Sequence, residues 1–216
     1  MGKVTPVACA PDDVVRIATT SGSTGVPKAL ALTHANFEAR LRSATSHPDS
    51  QRAICMLPPS SSWGYLILLK LLRSGGSFCF APFPNQVLDL CEASNAQVIC
   101  ASVGQAATLL EEQKAAAREL RSVEHLFIGG SPSSQTLIDG LRKHVCRNIS
   151  IGYGATETGQ AASGSLGMFD HIPGATGYNH PNVTIEVVDE RDTPQSPGRS
   201  GQVRITGPGS AKGYMS

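Results

Sequence analysis

Short apolar runs alternate along the chain with segments in which apolar residues recur every three or four positions. The runs predict strands at residues 13–20, 28–33, 53–57, 77–81, 97–101, 124–130 and 148–154. The periodic segments predict helices at residues 34–45, 63–73, 84–93, 103–120 and 132–146. Short strands that are apolar throughout are typical of sheets buried on both faces. The pattern therefore predicts an α/β fold, with a mostly parallel sheet and helices on both faces.

Local signals refine three of these helices. Thr33 is placed to N-cap the first helix, and Pro132 lies near N1 of the last one. The segment WGYLILLKLL (63–72) is too short to span a bilayer and carries Lys70, which predicts a core helix and no membrane span. The inner face of the first helix is predicted to consist of apolar residues at helical spacing: Phe37, Leu41 and Ala44.

The pattern changes after about residue 164. The segments VTIEVVDE (183–190) and GQVRITG (201–207) alternate with a period of two, and the stretch between them is rich in turn residues. They predict an antiparallel β segment that begins a small barrel. We therefore divide the chain into an α/β subdomain at 1–164 and an antiparallel β segment at 165–216. The first two strands, 13–20 and 28–33, are predicted to form a hairpin-like pair.

Charge and cysteine usage narrow the function classes. The formal net charge is +1 without a basic patch, which argues against a nucleic-acid partner. Residues 1–20 lack the apolar core of a signal peptide. The six cysteines form no C-x-x-C pair, and buried reduced thiols are predicted for those in apolar runs, so we expect a cytoplasmic protein. The cysteines in apolar runs are Cys55, Cys79, Cys91 and Cys100.

The segment TTSGSTGVPK (19–28) has the composition of an anion-binding loop. Such a loop needs glycines that free backbone N–H groups, hydroxyl donors and a cation. These features are supplied by Ser21, Gly22, Ser23, Thr24, Gly25 and Lys28. It is not a Walker A loop, because no glycine directly precedes Lys28 and no Ser or Thr follows it. A polar hairpin turn is the alternative, and composition leaves both interpretations open.

Two further motifs follow predicted buried strands, at the sheet edge where α/β proteins bind ligands. In GYGATETG (152–159), Tyr153 offers a flat face for a base, and Glu157 beside Thr156 is a reasonable magnesium ligand. In IGGSPSS (128–134), the glycines would permit close approach of a ligand. Taken alone, each motif is better interpreted as a tight turn after a strand.

The order and spacing of the motifs resemble the ANL adenylate-forming superfamily of acyl- and aryl-CoA synthetases, peptide-synthetase adenylation domains and luciferases. TTSGSTGVPKAL resembles its phosphate loop and GYGATETG its adenine and magnesium motif. GQVRITGPGSAKGYM (201–215) resembles its glycine-rich motif near the end of the large domain, and GYNHPNVTIEVVDE (177–190) the β segment before it. The resemblance covers essentially the whole chain.

The resemblance implies that the anion is the triphosphate of ATP, a cofactor used with Mg²⁺. A substrate carboxylate would attack the α-phosphate to give acyl-AMP and pyrophosphate, and a thiol, often that of coenzyme A, would take the acyl group. The implied phosphate ligands are Thr20, Ser21, Gly22, Ser23, Thr24, Gly25 and Lys28. The implied adenine-side residues are Gly129, Gly130, Ser131, Gly152, Tyr153 and Gly154. Thr156 would bond the α-phosphate and Glu157 would hold Mg²⁺, so the implied catalytic residues are Lys28, Thr156 and Glu157.

A pocket for a small-molecule carboxylic acid is implied at MLPPSSSWGYL (56–66). Ligases of the family carry Pro-x-x-His-x-x-Gly there, with Ser61 in the histidine's place in this sequence. The implied pocket residues are Ser61, Ser62, Trp63 and Gly64. Ala155 within GYGATE is more similar to CoA ligases than to peptide synthetases, which usually have proline there.

The resemblance also sets an expectation about extent. Only about eighteen residues precede the phosphate loop, and the chain stops before the family's Thr-Gly-Asp motif and its mobile C-terminal domain with the catalytic lysine. We therefore expect the central part of a large domain, catalytically silent alone, with uncovered apolar surface that invites self-association. The alternative is a non-catalytic module of the same fold that binds nucleotide or a partner chain.

Overall fold

Strands and helices alternate as the apolar pattern predicts in the computed structural model, which describes residues 7–20, 27–43, 52–172 and 174–215. The strands are β1 (Val14–Thr20), β2 (Lys28–Thr33), β3 (Arg52–Cys55), β4 (Ser77–Phe80), β5 (Val98–Ser102), β6 (His125–Gly129), β7 (Ile149–Ala155), β8 (Gly159–Ser165), β9 (Tyr178–Asn179), β10 (Thr184–Val188) and β11 (Gln202–Thr206). The helices are α1 (His34–Ser43), α2 (Ser62–Arg73), α3 (Pro84–Ser94), α4 (Val103–Ala116) and α5 (Gln135–His144). A 3₁₀ turn covers Leu166–Met168.

The main sheet has the strand order β4-β3-β5-β6-β7-β8-β9. Strands β3 to β7 run parallel, which confirms the predicted mostly parallel sheet. β8 and β9 add two antiparallel strands at one edge. β8 escaped prediction because its sequence, GQAASGS, contains only small or polar residues with weak strand preference. Its pairing with β7 across a short turn, rather than its composition, makes it a strand.

Both faces of the sheet are covered, as predicted. Alternate strand residues such as Ile54 and Ile99 pack in one core with side chains of α3, α4 and α5. Their neighbours, such as Ala53 and Val98, pack on the other face against α2. Each fully buried leucine or isoleucine stabilises this arrangement by about 1.5–3 kcal/mol relative to exposure.

Two small antiparallel sheets accompany the main one. β1 pairs with β2, with Thr20 opposite Lys28, which confirms the predicted hairpin. β10 pairs with β11, which confirms the predicted antiparallel β segment. β9 lies beyond residue 164 and still belongs to the main sheet, and the division of the chain at residue 164 stays a prediction.

Helix α1 buries two polar side chains beside its predicted apolar ones. Thr33 caps it, because the Thr33 hydroxyl accepts a hydrogen bond from the Asn36 N–H at 3.3 Å. The buried residues are Asn36, Phe37 and Arg40, and Leu41 is only half-buried. Phe37 and Leu41 pack in one apolar cluster, as predicted. Asn36 and Arg40 are buried as well, because they donate hydrogen bonds to main-chain carbonyls from distant segments. The predicted Ala44 lies outside the described residues.

Two other helices differ at their ends. α5 begins at Gln135, so Pro132 is not near its N1 position and that prediction was wrong. The reason is that the Ser134 hydroxyl accepts from the Leu137 N–H at 3.2 Å and caps the helix there. α4 ends at Ala116 instead of residue 120, because Ala117 adopts a left-handed conformation with φ 49°.

The cysteines and the apolar helix behave largely as predicted. Cys55, Cys91 and Cys100 are buried free thiols, and Cys79 is half-buried. Burial raises the pKa of Cys55 and of Cys91 to about 12, which keeps both as unreactive thiols. Within the described ranges, no helix combines the length and apolarity that crossing a bilayer requires.

Several apolar side chains are exposed at the surface. Val14 and Ile17 on β1 are 55% and 58% exposed, and Phe83 before α3 is 61% exposed. Self-association through such surface stays a prediction.

Candidate functional site

A cavity of about 310 Å³ opens where β6 and β7 end and α2 begins. The carboxyl edge of a parallel sheet is where α/β proteins bind ligands. We call it the proximal cavity. Eight residues singled out from the sequence line it: Ser61, Ser62, Trp63, Gly130, Gly152, Tyr153, Gly154 and Thr156. Segments that lie far apart along the chain therefore contribute to one concave surface.

Six further candidates that the structure describes do not line this cavity: Thr20, Lys28, Gly64, Gly129, Ser131 and Glu157. Gly64 lies in the first turn of α2. An added Cβ would come within 2.8 Å of the Leu57 carbonyl oxygen, so the helix packs against the preceding loop only because residue 64 has no side chain. Ser131 is exposed in the loop after β6. The loop residues Ser21, Gly22, Ser23, Thr24 and Gly25 lie outside the described residues.

Tyr214 joins three of the sequence motifs. The Lys28 ammonium lies over its ring, with Nζ 4.9 Å from the centroid. Its hydroxyl donates a hydrogen bond to Glu157 Oε1 at 2.7 Å, which raises the pKa of Tyr214. Tyr214 also forms a β-bridge with Leu30. The hairpin, the turn after β7 and the glycine-rich segment thus meet at one side chain.

Arg40 is a buried charge beside the proximal cavity, only 4% exposed. Its guanidinium donates to the carbonyl oxygens of Gly209 at 2.8 Å, Thr156 at 3.0 Å and Glu157 at 3.2 Å. Burial lowers the pKa of Arg40 to about 10, and the Glu157 carboxylate acts in the opposite direction. Arg40 therefore stays charged at neutral pH and holds the turn at 156–157 and the segment at 209 against α1.

A second cavity, of about 750 Å³, lies between α2 and the sheet. We call it the distal cavity. Trp63, Leu66 and Gln160 line both cavities, so the two are adjacent. The walls of the distal cavity are largely apolar, with Leu71, Val98 and Phe127 among them. Space of this kind suits the apolar part of a small molecule whose polar end lies in the proximal cavity.

Gln160 places a hydrogen-bond donor where the cavities meet. Its amide nitrogen is buried, and no hydrogen-bond acceptor reaches it within the part of the chain that the structure describes. A buried donor without a partner costs about 1–3 kcal/mol. An oxygen atom of a ligand at this junction would satisfy it.

Gly129 lets the Trp63 ring sit against the end of β6. A Cβ at Gly129 would lie 2.7 Å from the Gly152 carbonyl oxygen and 3.0 Å from Cη2 of Trp63. The Trp63 ring also meets Phe127 edge to face, with centroids 5.3 Å apart. Trp63 is thereby fixed as the wall between the two cavities.

We expect Gly129→Ala to lower the free energy of unfolding by about 2 kcal/mol, because strand pairing or Trp63 must shift to admit the methyl group. Chemical denaturation would measure the change. Gly104→Ala in α4 is the matched control, since a Cβ there meets nothing within 4 Å. It should leave stability unchanged or raise it by up to about 1 kcal/mol. Equal effects of both substitutions would contradict the packing argument.

Glu157 is the residue whose chemistry fits a magnesium ion. Mg²⁺ is usually held by one or two carboxylates together with substrate phosphates and waters. The Glu157 carboxylate is half-buried and follows Thr156 on the wall of the proximal cavity. Across the described ranges, no group of three or more His, Cys, Asp or Glu converges into a metal-binding cluster. One half-buried carboxylate beside a cavity fits a Mg²⁺ ion whose other ligands are phosphate oxygens and waters.

Sequence reasoning missed three residues of this site. Tyr214 and Gln160 fall within or next to quoted motifs, so their position was a usable signal. Arg40 had no such signal in the sequence, because an arginine on a helix is usually exposed to solvent.

Comparisons with known proteins match nearly the whole chain. A family model described as AMP-binding enzyme matches residues 2–215. Tenellin synthetase from Beauveria bassiana (strain ARSEF 2860) is 29% identical over 240 residues, which cover 99% of this chain and 6% of that protein. 4-Coumarate–CoA ligase 2 from Oryza sativa subsp. japonica is 29% identical over 232 residues, which cover 99% of this chain and 40% of the ligase. The chain thus spans less than half the length of these relatives.

A solved structure has the same fold. The o-succinylbenzoate coenzyme A synthetase from Bacillus subtilis, in complex with ATP and magnesium ion, superposes with a TM-score of 0.82 at 24% identity. The match covers 95% of this chain and 43% of that one. At this identity the likeness establishes the fold, which confirms the α/β architecture predicted from the sequence.

Proposed function

Because the chain belongs to the AMP-binding enzyme family, we propose that it carries the nucleotide site and part of the acid site of a ligase that activates a carboxylic acid with ATP. In the first step a carboxylate oxygen bonds to the α-phosphorus, and the bond to pyrophosphate breaks. In the second step the thiol of coenzyme A, losing its proton, bonds to the acyl carbon, and AMP leaves with the bonding electron pair.

One observation carries the proposal: three motifs from opposite ends of the chain converge on Tyr214 beside a cavity. Lys28, Glu157 and Tyr214 form a continuous contact next to the proximal cavity. A cation and a carboxylate at the edge of a pocket are what a metal-bound polyphosphate requires.

The position of each residue determines which part of the substrates it would contact. The Lys28 ammonium would balance charge on the β- and γ-phosphates, together with Thr20 and the loop at 21–25. Tyr153, at the rim of the proximal cavity, would stack on adenine beside Gly130. Thr156 would donate to the α-phosphate, and Glu157 would hold Mg²⁺, which neutralises phosphate charge when bound. Gln160 would donate to the acid's carboxyl group where the cavities meet.

The acceptor of the acyl group is proposed from similarity. The 4-coumarate–CoA ligase is named for its transfer to coenzyme A, and the superposed synthetase likewise. Ala155, the last residue of β7, agrees with that class. We therefore assign coenzyme A as the co-substrate of the proposed enzyme.

A pyrophosphate-exchange screen tests the proposal. The protein in its longest natural form would be incubated with ATP, Mg²⁺ and labelled pyrophosphate, and with aliphatic and aromatic carboxylic acids one at a time. We expect label to enter ATP with at least one acid and only when Mg²⁺ is present. ATP binding without exchange for any acid would contradict the proposal and favour a non-catalytic nucleotide-binding module.

Trp63→Ala should change which acids are used. The substitution merges the two cavities, so we expect kcat/KM for bulky acids to rise relative to that for small acids by about tenfold. The KM for ATP should stay close to its original value. Leu72→Ala is the control, because Leu72 lies on the same helix and is 62% exposed. A uniform loss for every acid, together with a lower Tm, would mean that Trp63 is only a core residue.

A further inference from the structure

The side chain of Tyr214 contacts two charged groups of the candidate nucleotide site. Its hydroxyl donates to Glu157 Oε1 at 2.7 Å, and the Lys28 ammonium lies over its ring with Nζ 4.9 Å from the centroid. The function proposed above assigns Glu157 to Mg²⁺ and Lys28 to the phosphates, and it gives Tyr214 no task. The contacts of Tyr214 therefore bear on how both groups are held.

Main-chain contacts fix Tyr214 beside β2. Residue 214 forms an antiparallel bridge with Leu30, and the Met215 N–H donates to the Ala29 carbonyl oxygen at 2.8 Å. The backbone of Tyr214 is thus tied to the same strand that carries Lys28. A tyrosine has few side-chain torsions, so once its backbone is fixed its hydroxyl can hold a partner at a small cost in entropy.

The main chain of Glu157 is also fixed, but by other groups. Its carbonyl oxygen accepts from the Arg40 guanidinium at 3.2 Å and from the Ala211 N–H at 2.7 Å. A glutamate side chain keeps its own torsions when its main chain is fixed, so these bonds do not orient the carboxylate. Within the described residues, the Tyr214 hydroxyl is the hydrogen-bond donor to that carboxylate. The orientation of the carboxylate therefore depends on Tyr214.

We propose that Tyr214 is a positioning residue that orients the Glu157 carboxylate for a divalent cation. The proposal rests on the function proposed above, in which Glu157 holds Mg²⁺. A carboxylate offers about four lone-pair positions. The Tyr214 hydroxyl uses one of them on Oε1, which leaves Oε2 for the ion. Mg²⁺ demands a strict ligand geometry, so a carboxylate that is held in one direction binds it better than a mobile one.

A structural clamp is the alternative role for Tyr214, and it makes a different prediction. The ring and the main chain of residue 214 would be sufficient to hold it against β2 and Lys28. The hydroxyl would then have no influence on a metal ion. Tyr214→Phe separates the two roles, because it removes the hydroxyl and keeps the ring and the main-chain contacts.

Binding of a nucleotide that cannot react tests the proposal without requiring catalysis. The protein in its longest natural form would be titrated calorimetrically with α,β-methylene-ATP, once with Mn²⁺ and once with EDTA. We expect Mn²⁺ to tighten binding in the original protein. Tyr214→Phe should weaken binding with Mn²⁺ by about tenfold or more, the scale on which a lost partner of a metal ligand lowers affinity. It should leave binding in EDTA within about twofold.

A double-mutant cycle shows whether Tyr214 acts through Glu157. Glu157→Gln should also weaken binding with Mn²⁺, and adding Tyr214→Phe to it should change binding by less than about twofold. Tyr65→Phe is the matched control. It removes a tyrosine hydroxyl from a residue that lines neither cavity and whose ring packs edge to face on Phe37, and it should leave both titrations unchanged.

Four results would overturn the proposal. They are no effect of Mn²⁺ in the original protein, no effect of Tyr214→Phe, equal weakening by Tyr214→Phe in Mn²⁺ and in EDTA, and an undiminished effect of Tyr214→Phe in the Glu157→Gln background. Equal weakening in Mn²⁺ and in EDTA would favour the structural clamp.

The outcome is separable from that of the proposed function. Acid-dependent pyrophosphate exchange together with unchanged Mn²⁺-dependent binding in Tyr214→Phe would overturn the role of Tyr214 and leave the ligase proposal intact. Mn²⁺-dependent nucleotide binding that needs the Tyr214 hydroxyl, without exchange for any acid, would support the positioning role and contradict the ligase activity.

Discussion

Lys28→Ala is expected to slow acid-dependent pyrophosphate exchange by about 10²-fold or more, the scale on which a lost transition-state charge contact lowers a rate. Lys28 begins β2 directly after the candidate phosphate loop, and its ammonium lies over Tyr214 at the mouth of the site. Negative charge grows on the pyrophosphate oxygens as the bond to the α-phosphorus breaks. A cation held there therefore stabilises the transition state more than the bound substrates.

Lys212→Ala is the matched control for that measurement. Lys212 lies two residues from Tyr214, is 82% exposed at its side chain and pairs only with Asp12 among the described residues. Its removal should change the exchange rate by less than about twofold. Glu157→Gln should instead raise the Mg²⁺ concentration needed for half-maximal exchange. If Lys28→Ala and Glu157→Gln both left exchange unchanged, the site would be wrongly assigned.

The second large effect is expected at Arg40. Arg40→Met should lower the free energy of unfolding by about 3 kcal/mol, because it removes the three hydrogen bonds that the buried guanidinium donates to main-chain carbonyl oxygens. Those carbonyls belong to Gly209, Thr156 and Glu157. Methionine fills a similar volume, so the loss reports the guanidinium rather than a cavity. Urea denaturation followed by circular dichroism would measure it.

Arg42→Met provides the comparison on the same helix. Arg42 is 72% exposed at its side chain and pairs with Glu38 one turn away. Exposed pairs of this kind contribute about 0.3–0.5 kcal/mol, so the variant should be close to the original in stability. Similar losses for both variants would show that helix α1 responds to any arginine loss. A small loss at Arg40 would mean that other donors reach the three carbonyls.

The sequence predicted the central sheet because its strands are apolar on both faces. Strands such as β5 and β6 are buried in the sheet, and a run of apolar residues in the sequence indicates such a buried strand. β8 is a strand because it pairs with β7, and that pairing cannot be inferred from the composition of β8. The burial of Arg40 was not predicted for a related reason. Its partners are main-chain carbonyls, and every residue has one, so the sequence does not indicate which of them will accept a hydrogen bond. Hydrophobic periodicity predicted the burial of Phe37 but not that of a charged neighbour.

Some residues of the candidate site could be predicted from the sequence, and others depend on how the elements pack. Motif residues such as Tyr153 and Trp63 could be placed because short segments with special composition surround them. Lys70 was noted only as an interruption of an apolar helix, and its place on a cavity wall follows from how α2 rotates against the sheet. Rotation of a helix by one residue would point Lys70 elsewhere. That angle is set by the packing of α2 residues such as Ile67 and Leu71 in one core with sheet residues such as Val98.

The long-range contacts of α1 bear on how the chain acquires its site. Asn36 donates to the Ser210 carbonyl across 174 positions, and Arg40 reaches Gly209 across 169. Closing a loop of that size costs about 5 kcal/mol of chain entropy, whereas neighbouring strands and helices of the sheet close short loops. We therefore expect the sheet to form before the glycine-rich segment docks. A nascent chain would then acquire its core while the candidate nucleotide site is still incomplete.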